Sequence, residues 1–355
     1  MEYRTLGGTG LHVSTHCLGT MMFGAWGNRD VDECVRIIHA ALDAGINFVD
    51  TADVYSAGES EKITGKALKG RRDEVVLATK VHGEMGPGPN EKGNSRVWIA
   101  REVENSLRRL GTDHIDLYQI HRPEPDTDIE ETLGALTDLQ RQGKIRYFGS
   151  STFPGWQMVE AQWVAERRGL SGFRTEQPPY SIFVRYIELD VLPVAARYGM
   201  GVLVWSPLCR GWLAGRYRRG HFDRSPESRA ARGSERADWL RVLWDESRPE
   251  VQRKVDVVED LIVLADKAGT TLPRLAIAFT LAHSAVTSAI IGPRTMEQLQ
   301  DLAEAADLRL DDATLDAIDE LVPPGTMVDE RDRGFEPWWF EPAARRRRPP
   351  ERSTS

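Results

Sequence analysis

The chain of 355 residues is poor in cysteine, with only Cys17, Cys34 and Cys209. Three thiols far apart in sequence make neither a disulfide framework nor a zinc-ligand spacing, so no metal is expected and all three read as small apolar fillers. Long apolar runs are missing too: nothing approaches the roughly 18 consecutive apolar residues of a bilayer-spanning helix. The N-terminus lacks a basic stretch leading into an apolar one, so no secretory signal is read and a cytoplasmic chain without a membrane partner is expected. Positive charge is in deficit. A formal net charge of −8 argues against nucleic acid as a partner, because phosphate binding needs a clustered positive field. The one basic run, Arg345 to Arg348, lies between prolines and reads as a solvated, disordered end. A dinucleotide fingerprint is absent as well. Gly7-Gly8-Thr9-Gly10 has Val13 where the third glycine belongs and opens no helix, so Tyr3 to Ser14 reads as a hairpin.

What the chain does have is a rhythm. A hydrophobic fraction of 41% and a charged fraction of 28% are those of a globular protein, and short β-branched runs alternate with apolar residues at helical spacing. Strands are expected at His16 to Thr20, Ile46 to Asp50, Val75 to Lys80, His114 to His121, Ile145 to Gly149, Phe173 to Gln177, Gly201 to Trp205 and Val286 to Ile291. Helices are expected at Asp32 to Ala44, Glu59 to Lys69, Ser95 to Leu110, Ile129 to Gln142, Gly155 to Arg168 and Tyr186 to Tyr198, with two more within 251 to 283. Eight βα units imply an α/β fold, a (β/α)₈ TIM barrel with an N-terminal β-hairpin and an extra C-terminal helix. The barrel is assigned to residues 1–325. Residues 326–355 form an extension partly over the substrate site. The Gly/Pro-rich loop 82 to 94 and the charged connection 216 to 250 both follow strand C-termini, where barrel enzymes build their sites.

Four residues fall at that end with complementary chemistry: Asp50 and Tyr55 after strand two, Lys80 at the end of strand three and His121 at the end of strand four. Reducing a carbonyl takes a hydride at carbon and a proton at oxygen, and a phenol delivers the proton once its pKa, normally about 10, is brought down. Lys80 would do this for Tyr55, and Asp50 would keep Lys80 charged. His121, as a neutral imidazole, would donate a hydrogen bond to the substrate oxygen.

The stretch Asp50-Thr51-Ala52-Asp53-Val54-Tyr55 resembles the Asp-Thr-Ala-x-x-Tyr motif of the aldo-keto reductase superfamily, and Tyr118-Gln119-Ile120-His121 resembles that family's histidine-bearing strand. The resemblance spans about residues 3 to 325. It implies an NADP-dependent oxidoreductase in which Tyr55 is the proton donor and Asp50, Lys80 and His121 complete the catalytic set. It also implies NADPH contacts. Trp205 would stack on the nicotinamide, with Ser206 and Leu208 beside it. The run Cys209-Arg210-Gly211-Trp212-Leu213-Ala214-Gly215-Arg216 resembles the pyrophosphate strap, bringing Arg210, Gly211 and Arg216. Gly292, Arg294, Gln298 and Asp301 would hold the adenosine end, with Arg294 on a 2′-phosphate. Gly19, Thr20 and Asp50, and on the far side Ser151, Thr152 and Gln177, complete the set. Two positions depart from the pattern: Thr152 and Leu302 stand where the family often has Asn, so Thr152 offers fewer hydrogen bonds than an amide, a loss that Gln177 partly offsets, and the contact at Leu302 is missing.

The substrate is less legible. Loop 82 to 94, Tyr180 to Phe183 and the tail Gly325 to Phe340, with Trp338 and Trp339, are expected to border an apolar pocket. Arg96, Arg101 and the run Glu104 to Leu110 resemble members acting on general aldehydes and others reducing ketosugars in secondary metabolism. Potassium-channel β subunits are also similar, around Arg122 to Thr127 and Trp205, which keeps open a non-catalytic NADPH-sensing module; His121, different in those subunits, favours catalysis. An aldolase using Lys80 as a Schiff-base nucleophile is the third alternative. Oligomeric state stays open.

Overall fold

The computed structural model describes residues 1–340 apart from 226–227, 229 and 232–237. The basic run Arg345 to Arg348 and the end of the extension lie outside the described residues. Twelve strands are formed among the described residues. A hairpin of β1 (Tyr3–Thr5) and β2 (His12–Ser14) precedes barrel strand β3 (His16–Gly19). The barrel continues through β4 (Phe48–Asp50), β5 (Val76–Val81), β6 (Ile115–Ile120), β7 (Ile145–Ser151), β8 (Thr175–Gln177) and β9 (Gly201–Val204). A second hairpin, β10 (Tyr217–Arg218) and β11 (His221–Phe222), intervenes before β12 (Ser288–Ile291) closes the ring between β9 and β3. All barrel pairings are parallel, and helices cover the outside, so the expected (β/α)₈ architecture is the one observed.

Local chemistry explains the boundaries. Helix α1 (Val31–Asp43) starts where the Asp30 carboxylate accepts from Glu33 N at 2.9 Å, and α3 (Arg96–Leu110; α2 is Glu59–Leu68) starts where Ser95 Oγ accepts from Trp98 N and stops at left-handed Gly111. The expected helix Tyr186 to Tyr198 is shorter. Its first turn is 3₁₀ over Tyr186–Glu188, and the α-helix begins at Val191 behind Asp190, whose carboxylate accepts from Val191 N at 2.8 Å. The extra C-terminal helix is present at Asp312–Leu321.

Alternate residues of each strand point inward. Cys17, Phe48, Ala78, Leu117 and Leu203 form one apolar layer inside the barrel, closed at its N-terminal end by Leu6 and Val13 of the first hairpin. That hairpin lies so close to β9 that a side chain on Gly7 would meet Gly201 N at 2.3 Å, and Gly7 adopts φ +55°. Two residues further along the strands the same alternation brings Asp50, Lys80 and Gln119 inward. The apolar interior therefore ends in a buried polar layer at the C-terminal mouth. The larger core lies between barrel and helices, in residues such as Ile37, Trp98, Phe148 and Leu261.

Candidate functional site

Lys80 is fully buried and Asp50 nearly so, at 0% and 3% exposure. Lys80 Nζ donates to Asp50 Oδ1 at 2.5 Å, to Thr51 O at 2.8 Å and to Tyr55 Oη at 3.3 Å. The other carboxylate oxygen of Asp50 accepts from Gln177 Nε2 at 2.9 Å and Gln119 Nε2 at 3.2 Å. The ring of His121 stands edge-on to Tyr55, centroids 5.7 Å apart, and Trp26 flanks Tyr55 on another side at 5.9 Å. Asp50, Lys80, Tyr55 and His121 thus meet at one mouth, as the strand-end positions imply.

The protonation pattern differs in one respect from the sequence expectation. Burial raises the pKa of Tyr55, and the opposing charge of Lys80 does not reverse it, so the net direction is up and the resting side chain is a neutral phenol. Burial disfavours the charge on Lys80, but Asp50 and Tyr55 outweigh it and Lys80 stays an ammonium. Burial first, then the charges of Arg122 and Lys80, hold His121 well below its ordinary value, as a neutral imidazole.

These residues open onto a cavity of about 810 Å³. Asp50, Tyr55, His121, Gly19, Ser151 and Gln177 line its inner end, and Trp205, Ser206 and Leu208 one wall. Arg210, Gly211 and Arg216 follow along the strap, and Gly292, Arg294, Gln298 and Asp301 lie at the far end. The strap backbone is left-handed at Ser206 (φ 59°), Cys209 (φ 42°), Arg210 (φ 57°) and Gly211 (φ 94°), a rare run for residues with side chains. Ser206 Oγ accepts from Arg210 N at 3.1 Å, which holds the turn. At the far end Gln298 Oε1 accepts from Arg294 N at 2.8 Å, and Asp301 accepts from Arg274 Nε at 2.9 Å.

Other expectations need correction. Thr20 does not line the cavity: it is fully buried, its hydroxyl sharing a hydrogen with Ser60 at 2.9 Å. Thr152 does not line it either. Its hydroxyl accepts from Arg122 Nη1 at 3.1 Å, and it holds φ 63°, a conformation costly for a β-branched residue. Lys80 is buried behind Tyr55 and does not itself line the cavity. Loop 82 to 94 closes on itself, Met85 N donating to Glu91 O at 3.0 Å, and borders no part of the cavity. Tyr180 to Phe183 is core, with Tyr180 Oη donating to Glu188 at 2.6 Å. Of the tail, Gly334 reaches the cavity; Trp338 and Trp339 do not.

Sequence reasoning gave no role to Met21, Met22, Trp26 and Val54, which form the apolar wall beside Tyr55, or to Gln119 and Arg122. Gln119 was findable, since it shares the inward parity of His121 on the same strand. The tail contact was not. Gly334 lies so tightly against Trp205 that a side chain there would meet the indole at 2.3 Å. It is fastened by Asp332, whose carboxylate pairs with buried Lys254 at 2.5 Å and lies 3.9 Å from Arg210.

Comparison with known proteins agrees with this architecture. The chain is 42% identical over 342 residues to a Bacillus subtilis protein named uncharacterized oxidoreductase YrpG, covering 93% of this chain and 99% of that one. It is 37% identical over 332 residues to a probable voltage-gated potassium channel subunit beta of Arabidopsis thaliana, covering 91% and 97%. It is 43% identical over 220 residues to the B. subtilis aldo-keto reductase YhdN, covering 61% and 65%. The Aldo/keto reductase family model matches residues 17–323. With that match spanning most of a closed eight-stranded barrel, the chain belongs to the aldo/keto reductase family of oxidoreductases.

Proposed function

We propose that the chain reduces an aldehyde or ketone to an alcohol with NADPH, which when bound supplies the hydride to the carbonyl carbon and leaves as NADP⁺. The observation that carries this reading is the hydrogen-bonded chain Asp50–Lys80–Tyr55 with neutral His121 across from it, all at one end of the cavity. The cavity fits the cofactor in kind. An indole face at Trp205 suits a planar ring; left-handed strap backbone with Arg210 and Arg216 suits a pyrophosphate, and Arg294 a 2′-phosphate. Thr152, turned away, offers the carboxamide nothing, and Leu302 lines the adenosine end without a polar group. Gln177 spends its amide N–H groups on Asp50 and Gln119 and keeps its oxygen as acceptor.

Tyr55, resting as a phenol, gives its proton to the substrate oxygen as negative charge develops there. Lys80, kept charged by Asp50, stabilises the phenolate left behind. His121 donates to the same oxygen and fixes its direction. The wall of Met21, Met22, Trp26 and Val54 excludes water and favours an apolar or ring-bearing small molecule. A cytoplasmic setting belongs to the same reading; no helix among the described residues is long and apolar enough to cross a membrane.

Similarity to a protein named probable voltage-gated potassium channel subunit beta keeps open a second reading, that this chain is a nucleotide-binding module without turnover. One experiment separates the two: mixing purified protein with NADPH and a nitrobenzaldehyde. Steady consumption of NADPH with formation of the benzyl alcohol supports the reductase; NADPH binding without turnover across aldehydes, diketones and ketosugars supports the module.

A further inference from the structure

Arg122 is a cation in the cavity that forms an ion pair with no carboxylate among the described residues. It follows His121 at the end of β6 and lines the same cavity as Tyr55 and His121. Its Nη1 donates to its neighbour His121 O at 2.6 Å and to Thr152 Oγ1 at 3.1 Å, both neutral acceptors. Its guanidinium carbon sits 5.8 Å from the centre of the Trp205 ring. Among the described residues Nε and Nη2 have no hydrogen-bond acceptor and no ion pair reaches Arg122. The charged and titratable groups that face it are Tyr55, Arg210, Glu176 and Tyr186, with His121 and His82 alongside. Glu176 is the one carboxyl in that set. Burial pushes its pKa up to about 8, and Ser150 Oγ and Phe153 N donate to its oxygens at 2.5 and 3.1 Å, so it is largely protonated at neutral pH. Arg210 adds a second positive charge, not a counter-charge.

Arg122 is partly buried and its remaining N–H groups face the cavity, where a ligand can complete them. We infer that Arg122 is a specificity-determining residue that selects carbonyl substrates carrying a carboxylate, by presenting Nε and Nη2 to that group while Tyr55 and His121 hold the carbonyl oxygen. The planar fork takes a carboxylate through two parallel hydrogen bonds, which a neutral amide cannot match. The cation–π contact with Trp205 and the two Nη1 hydrogen bonds fix the fork in place before substrate arrives, so little entropy is lost on binding. The reductase reading enters only in locating the carbonyl.

The test has a kinetic arm and a binding arm. The kinetic arm compares kcat/KM for 4-carboxybenzaldehyde and 4-formylbenzamide, of nearly equal shape. A charge-assisted pair predicts a preference for the acid of about tenfold or more. Arg122→Met should bring the ratio to about one, mainly through KM of the acid, and Arg122→Lys should restore part of it. The binding arm titrates benzoate and benzamide, following tryptophan fluorescence; wild type should prefer benzoate by a similar factor and Arg122→Met should not. Equal affinity for the two in wild type, or an Arg122→Met change that weakens acid and amide alike or shifts only NADPH affinity, overturns the inference. Absence of turnover with the benzoate preference intact would instead count against the reductase reading and leave the anion site standing.

Discussion

Thr152→Asn is expected to make the protein more stable and its cofactor binding tighter. Thr152 holds φ 63° at the end of β7, where a β-branched residue costs roughly 1–2 kcal/mol and Asn is tolerated with little penalty. Two interactions oppose the gain: the hydroxyl accepts from Arg122 at 3.1 Å and shares a hydrogen with Ser151 at 3.4 Å. An Asn oxygen can take over the first, and the second is long. The net expectation is about 1 kcal/mol of added stability, read as a higher urea midpoint with an unchanged slope. With its oxygen held by Arg122, the Asn amide would still offer its NH2 group as a donor near the nicotinamide position, worth about 1 kcal/mol and thus roughly fivefold in NADPH Kd, read by fluorescence titration. Thr152→Gly separates the effects: it relieves the backbone but offers no side-chain contact, so stability should hold or rise while Kd does not improve. Loss of 1 kcal/mol or more in Thr152→Asn, with no change in Kd, would refute the argument that strain and a missing amide are what distinguish this position.

Other consequences follow from buried charges. His16 is fully buried, neither ring nitrogen has a hydrogen-bond partner among the described residues, and burial lowers its pKa to about 4. Its folded value lies below its ordinary one of 6.5, so its contribution is present above pH 6.5 and lost as pH falls toward 4. About 3 kcal/mol should disappear over that range, and a His16→Leu variant should show a flatter stability profile there. Glu176 has the opposite sign. Its folded value of about 8 lies above the ordinary carboxyl value of 4.5, so wild type should lose stability as pH rises between those values while Glu176→Gln loses less. Asp332→Asn should weaken the tail's attachment to Lys254 and Arg210 at a cost of about 2 kcal/mol. Because Gly334 rests on Trp205, the same variant should speed NADPH release in stopped-flow displacement.

The sequence made the barrel legible because each β-branched run is short, several helices have an identifiable cap residue such as Asp30, Ser95 or Asp128, and the units repeat. The site's inner end was equally legible, since Asp50, Lys80 and His121 all fall at strand C-termini. What escaped depends on three-dimensional return. Hairpin Tyr217–Phe222 hides in a charged connection with Gly220 as its only turn signal. Gly334 reaches Trp205 across 129 positions because Lys254, on a distant helix, is buried with Asp329 and Asp332. Thr20 was misplaced because strand-end position fixes which mouth a residue occupies but not which way its side chain turns; Ser60, from the next unit, draws it away. The tilt of Tyr55 upward in pKa was hidden for a similar reason, since the sequence names its cationic neighbour but not the depth of its burial.

The central claim is that Tyr55 delivers the proton, and Tyr55→Phe tests it most directly, with NADPH affinity measured by fluorescence and turnover of a nitrobenzaldehyde measured at saturating NADPH. The phenyl ring keeps the packing against Trp26 and His121 and removes only the hydroxyl. The expected result is an NADPH Kd within about twofold of wild type and a kcat lower by about a hundredfold or more. Full turnover in Tyr55→Phe would contradict it.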